Sequence, residues 1–135
     1  MNFSKQQTRY GAYGILKQND QCLLTLKKSG PYKGLWDLPG GGIKFGEAPE
    51  QTLKREFLEE TALSIGRVEL SSVETFVTTY LLHGETVQFH HIGILYHVFD
   101  FAPEPEVSPE EEILWMPYHS MEKNKLTPFA QQAFI

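Results

Sequence analysis

The chain has 135 residues, of which 41% are hydrophobic and 21% charged, enough for one domain with one core and too apolar for disorder. A net charge of −5, with no basic stripe, disfavours a nucleic-acid partner gripped through its phosphates. No run reaches the roughly 20 apolar residues of a membrane helix. The polar start Met1–Gln7 has no signal-like apolar stretch, and Cys22, the single cysteine, excludes an internal disulfide and a cysteine-rich zinc site. A reducing cytoplasm fits these features.

From about Thr8 to Lys17 apolar residues occupy both alternating sets, the pattern of an interior strand. Tyr10 and Tyr13 belong to this strand, where they serve packing or help to form a base-binding pocket. Asn19-Asp20 signals a turn into a partner strand, Gln21 to Lys27, on which Cys22 reads as a small buried apolar residue. A loop through Ser29-Gly30-Pro31 leads past Trp36, read as a packing anchor, into the glycine run Gly40-Gly41-Gly42. Pro49 to Ala62 then changes period. Leu53 and Phe57 stand four apart, with Thr61 four later, and the charges point elsewhere, so the spacing predicts an amphipathic helix with Pro49 in its first turn.

Strands are predicted over Val68 to Leu82 and Thr86 to Phe101, separated by His83-Gly84-Glu85, and a short one at Ile113 to Met116. His90 and His91, adjacent on a strand, point to opposite faces. Thr127-Pro128 marks the N-cap and first residue of a terminal helix through Phe134. Strands, a long helix, more strands and a last helix predict an α/β fold, a mixed sheet flanked by helices.

On the long helix Glu56 and Glu60 share a face, and Glu59 borders it. Arg55 lies four residues before Glu59, within reach of it. Taken alone, this reads as a solvated acidic face, as most acidic helices are. The glycine run can approach a ligand closely, and Gly46-Glu47 directs a further carboxylate towards the helix start. The combination favours oxygen ligation of a hard divalent cation, which relieves the crowding of like charges.

The segment Gly41-x5-Glu47-x7-Arg55-Glu56-Phe57-x-Glu59-Glu60-x-Ala62-Leu63 resembles the Nudix box, G-x5-E-x7-R-E-U-x-E-E-x-G-U with U a bulky apolar residue. Spacing agrees throughout its 23 residues, and the lead-in Trp36-x-Leu38-Pro39-Gly40-Gly41 is also similar to what precedes the box. The one departure is Ala62 in place of glycine, at a helix end where a left-handed residue is expected.

The resemblance implies a single domain over residues 1–135, an α/β/α sandwich. It also implies hydrolysis of a diphosphate linkage in a nucleoside di- or triphosphate or a related nucleoside diphosphate derivative, with magnesium or manganese. Glu56 and Glu60 would be the principal ligands, joined by Glu59 and the carbonyl of Gly40. Arg55 and Glu47 would support them, and Glu56, Glu59 or a distal acid would act as general base. Glu112, in the run Glu110-Glu111-Glu112, is the candidate distal acid, either completing the site or belonging to a solvated loop. The alternative to an enzyme is a nucleotide-sensing domain that does not turn its ligand over. A homodimer is compatible with the sequence.

Overall fold

The computed structural model describes residues 5–120 and 122–134; the start Met1–Ser4 lies outside them. Strand β1 (Lys5–Gln18) runs longer than its apolar pattern, because its polar first half still pairs in the sheet. It turns at Asn19-Asp20, both with positive φ, the geometry of the tight hairpin turn that matches strand twist. The next strands are β2 (Gln21–Leu26), β3 (Trp36–Asp37) and β4 (Gly40–Gly42).

Helix α1 spans Pro49–Thr61. Strands β5 (Leu63–Ile65), β6 (Val68–Leu82) and β7 (Glu85–Val98) follow, and the long apolar run breaks into β7 and a separate β8 (Phe101–Pro103). Last come β9 (Ile113–Pro117) and a helix α2, Pro128–Gln132, shorter than the sequence predicts.

The main sheet has the order β3-β2-β1-β7-β6, with β4 added to β1 and β9 to β2. β1 pairs parallel with β7 from Lys5↔Val87 to Leu16↔Val98, and β6 returns antiparallel along β7 with a bulge between Leu70 and Ser72. Alternation along β1 and β7 supplies a core to each face. Ala12, Leu16, Tyr96 and Val98 pack under Leu53 and Phe57 of α1. Tyr13, Ile15, Leu95 and Cys22 pack under Phe129 and Ala130 of α2. Trp36 packs against this second core. The result is a mixed sheet between helices, as the sequence predicts.

Close approach fixes two glycines in these layers. A Cβ at Gly14 would stand 2.5 Å from the ring of Phe57, and one at Gly93 would stand 2.6 Å from that of Phe129. Among the described residues no helix is long and apolar enough to cross a membrane.

Candidate active site

β4 and α1 bring the glycine run and the acids together. Gly40 has φ of 145° and Gly41 lies where an added Cβ would meet the Glu56 carboxylate at 2.6 Å, so only glycine lets the helix carboxylates sit this close to the strand. The Gly40 N–H donates to Glu60 Oε1 at 3.0 Å. Glu60 is buried, 9% exposed, and burial together with the nearby Glu56 charge pushes its carboxyl up to about 8. Burial also raises Glu56, against the opposing pull of Arg55.

Arg55 is the hub of the other acids. Its Nε and Nη2 donate to Glu47 at 2.8 and 2.9 Å, and its Nη1 donates to Glu56 at 2.8 Å and Glu59 at 3.4 Å. A further bond from Nη2 reaches the Gly42 carbonyl. The partner placed four residues on, Glu59, is therefore its most distant carboxylate, and Glu47 its closest match. This fork geometry suits arginine and not lysine. Glu47 also accepts from the Lys44 N–H and the Thr52 hydroxyl. These bonds, those from Arg55 first, hold its carboxyl down at about 2. Glu59 is the least enclosed of the acids, with its side chain 40% exposed.

At the far end of α1, Ala62 has φ 60° and ψ 27° and its N–H bonds Leu58 O. The left-handed cap is kept without glycine. Backbone N–H groups of Glu110 and Glu111 donate to the carbonyls of Glu59 and Glu60, closing off orphan acceptors of the helix end. This gives the acidic loop a structural role through its main chain. Glu112 is exposed, its carbonyl accepts from Leu26 N, and among the described residues no side-chain hydrogen bond or ion pair joins it to the acid cluster.

Among the described residues no three acid, imidazole or thiol side chains close into a ready cation cage, because Arg55 draws Glu47, Glu56 and Glu59 to itself. The donor chemistry nevertheless fits a hard divalent ion: the set is all oxygen, and the buried Glu60 and half-buried Glu56 both carry carboxyls raised by desolvation, which a cation would favour in the ionised form.

A cleft of about 110 Å³ opens beside the acids on the α2 face, lined by Arg9, Lys27, Tyr32, Asp37, Phe89 and His91. Tyr13 also lines it, but is 3% exposed and hydrogen-bonded to His91 Nε2 at 2.7 Å. Tyr10, three residues earlier, points to the opposite face and is 57% exposed, so it does not join Tyr13 in one pocket. Period 2 along a strand forbids it.

His91 stacks on Tyr32 with centroids 5.9 Å apart, and its Nδ1 is buried without a partner. Asp37 is buried, with Oδ1 accepting from Leu38 N and the Thr127 hydroxyl. Burial raises its carboxyl. Sequence reasoning missed Arg9, Lys27, Tyr32 and Asp37. The available signal is that Arg9 and Lys27 are charges at the ends of otherwise apolar strand patterns.

A family model described as the NUDIX domain matches residues 5–134. The ADP-ribose pyrophosphatase of Methanocaldococcus jannaschii is 31% identical, over 62% of this chain and 46% of that protein. The oxidized purine nucleoside triphosphate hydrolase of Mus musculus is 28% identical over 76% of this chain and 74% of that one. The first three curated relatives are each matched over less than half their length. Among solved structures, a MutT NUDIX hydrolase from Burkholderia pseudomallei superposes with a TM-score of 0.72 at 26% identity, covering 95% of this chain and 96% of that one.

Proposed function

We propose that this chain, which belongs to the Nudix family, is a pyrophosphohydrolase that cleaves a diphosphate linkage in a nucleoside di- or triphosphate or a related nucleoside diphosphate derivative. The observation that carries this reading is the convergence of Glu47, Glu56 and Glu59 on Arg55 beside the buried Glu60–Gly40 pair. Glu56 and Glu60, with Glu59 and the Gly40 carbonyl, would hold magnesium or manganese. When bound, such a cation neutralises diphosphate charge and lowers the pKa of water far below its bulk value of about 15.7.

The chain's own residues do the rest. Arg55 orients Glu56 and Glu59 through one nitrogen, and Glu47 anchors Arg55 through the other two. Glu59, the most exposed of the acids and held only by a 3.4 Å contact, is the group assigned to take the proton from the attacking water, with Glu56 as the alternative. General-base help of this kind contributes a factor of roughly 10² to 10⁴.

The nucleoside end of the substrate belongs in the neighbouring cleft. Tyr32, Phe89 and His91 form its packed, buried aromatic wall, and Arg9 and Lys27 offer positive charge to the phosphates of a bound nucleotide. The names of the two relatives, one acting on ADP-ribose and one on oxidized purine nucleoside triphosphates, support a nucleoside diphosphate unit as the shared feature.

The test is a panel of nucleoside triphosphates, nucleoside diphosphate sugars and dinucleotides incubated with magnesium, read by release of phosphate, pyrophosphate or nucleoside monophosphate. Turnover of at least one member, abolished by a chelator, is the expected result. Tight nucleotide binding with no turnover of any member would mean a sensing domain instead.

A further inference from the structure

The loop between β4 and α1 carries the most exposed large apolar side chain among the described residues, Phe45. It belongs to neither core, so its ring adds nothing to the packing of the free protein. Lys44 to Glu47 form a tight turn around it. The Glu47 N–H donates to Lys44 O at 3.0 Å, and Gly46 in the third position has φ of 84°. These are the marks of a type II turn, whose second position is often proline and has no need of an aromatic residue.

The turn is tied to the acids. The Lys44 N–H donates to Glu47 Oε1 at 2.9 Å, and Arg55 grips the same carboxylate through two nitrogens. Phe45 thus stands on a fixed backbone, and only its own two side-chain torsions are ordered when a ligand meets the ring.

Gly42, three residues before Phe45, is where the acid cluster and the cleft adjoin. Its carbonyl accepts from Arg55 Nη2 at 3.3 Å. A Cβ added to it would stand 3.0 Å from the Arg9 guanidinium. Three residues of chain reach at most about 11 Å, so Phe45 stands on the rim shared by the hub of the acids and a cation of the cleft.

A diphosphate linkage has a group at each end. The cleft, about 110 Å³ and walled by packed rings, receives one of them, and the other passes over the open rim. We propose that Phe45 is a specificity-determining residue that stacks on a planar ring in this second group. The preferred substrate is then a nucleoside diphosphate joined to another aromatic group, as in a dinucleotide. This rests on the diphosphate-cleaving reading of the acids. The surroundings of the ring select a small flat ligand over a protein or a membrane. Its neighbours in the loop, Lys44, Gly46, Glu47 and Ala48, are charged or small, and a lone ring among them makes no contiguous apolar patch. Every base has a face that such a ring can cover.

Isothermal titration in the presence of magnesium tests this. The probes are methylene-bridged, non-hydrolysable dinucleoside diphosphates with two identical bases, one for each common base, and the matching nucleoside diphosphate glucoses. Members of a pair offer the cleft the same nucleoside and differ in the second group. In at least one pair the dinucleoside compound should bind tighter by about tenfold or more, the scale of one base stacked on an aromatic side chain. Phe45→Ala should erase that preference and Phe45→Tyr should keep it, both with the circular dichroism of wild type. The assay reads binding alone, so a wild-type chain that hydrolyses nothing counts against the pyrophosphohydrolase reading and still gives the stacking preference. Equal affinity within every pair, no binding of any probe, or a preference that survives Phe45→Ala overturns the proposal.

Discussion

Substituting Glu60 by glutamine separates the chemistry of the acid cluster from its folding. The amide oxygen still accepts from the Gly40 N–H and no buried charge is added, so the urea midpoint should stay close to wild type. Magnesium-dependent turnover should fall by on the order of 10²-fold, the scale of losing one group that acts on the reacting centre. Wild-type turnover in Glu60→Gln would show that Glu60 does not serve the metal.

Ala62 gives the complementary residue-scale test. Its left-handed φ of 60° costs a residue with Cβ about 1 kcal/mol relative to glycine. Ala62→Gly should therefore raise the unfolding free energy by about that amount in urea titrations, with activity unchanged. A lower midpoint would mean that the helix end is not strained.

At the scale of elements, α2 is five residues long, too short to be stable by propensity alone. It is held by Thr127, which accepts from Ala130 N at 3.2 Å as its N-cap and donates to buried Asp37 at 2.6 Å. One hydroxyl thus joins β3 to the helix that roofs the second core. Thr127→Val keeps the shape and removes both bonds. It should destabilise the protein by about 1–3 kcal/mol, combining a lost cap with a buried acceptor left short of a donor. An unchanged melting temperature would show that the packing of Phe129 suffices. The sequence signals the cap plainly through Thr127-Pro128, but not its link to Asp37, 90 positions away.

For the whole molecule, pH reports on how tightly the cleft side of the sheet is closed. Burial, reinforced by the positive charges of Arg9 and Lys27, lowers His91 from 6.5 to about 3. Below about 6.5 the unfolded chain binds a proton that the folded one refuses. This contribution to stability is therefore fully present above pH 6.5 and is lost as pH falls towards 3. Between pH 6 and 5 the His91 contribution alone lowers the unfolding free energy with a slope approaching about 1.4 kcal/mol per pH unit, opposed by Glu60, whose carboxyl, raised to about 8, keeps its proton in the folded chain. His91→Phe, which keeps the aromatic packing, should remove the His91 part, so that the variant loses less stability than wild type between pH 6 and 5; an equal change in both would place the effect elsewhere.

Much of this protein is determined by local pattern. The 3.6-residue period of Leu53 and Phe57 and the flanking Pro49 define α1. Fixed spacing from Gly41 to Leu63 identifies the acid cluster and its family, since a helix turns fixed spacing into a fixed face. Tertiary structure decides what pairing across the chain controls. Arg55 bonds Glu47 more closely than the i+4 acid Glu59, because the loop folds Glu47 back over the helix start. Glu60 is buried rather than solvated because β4 comes to lie against α1. Arg9, Lys27, Asp37 and His91 meet in one cleft because β1 takes β2 and, through it, β3 on one side and the distant β7 on the other. No window along the chain contains that strand order.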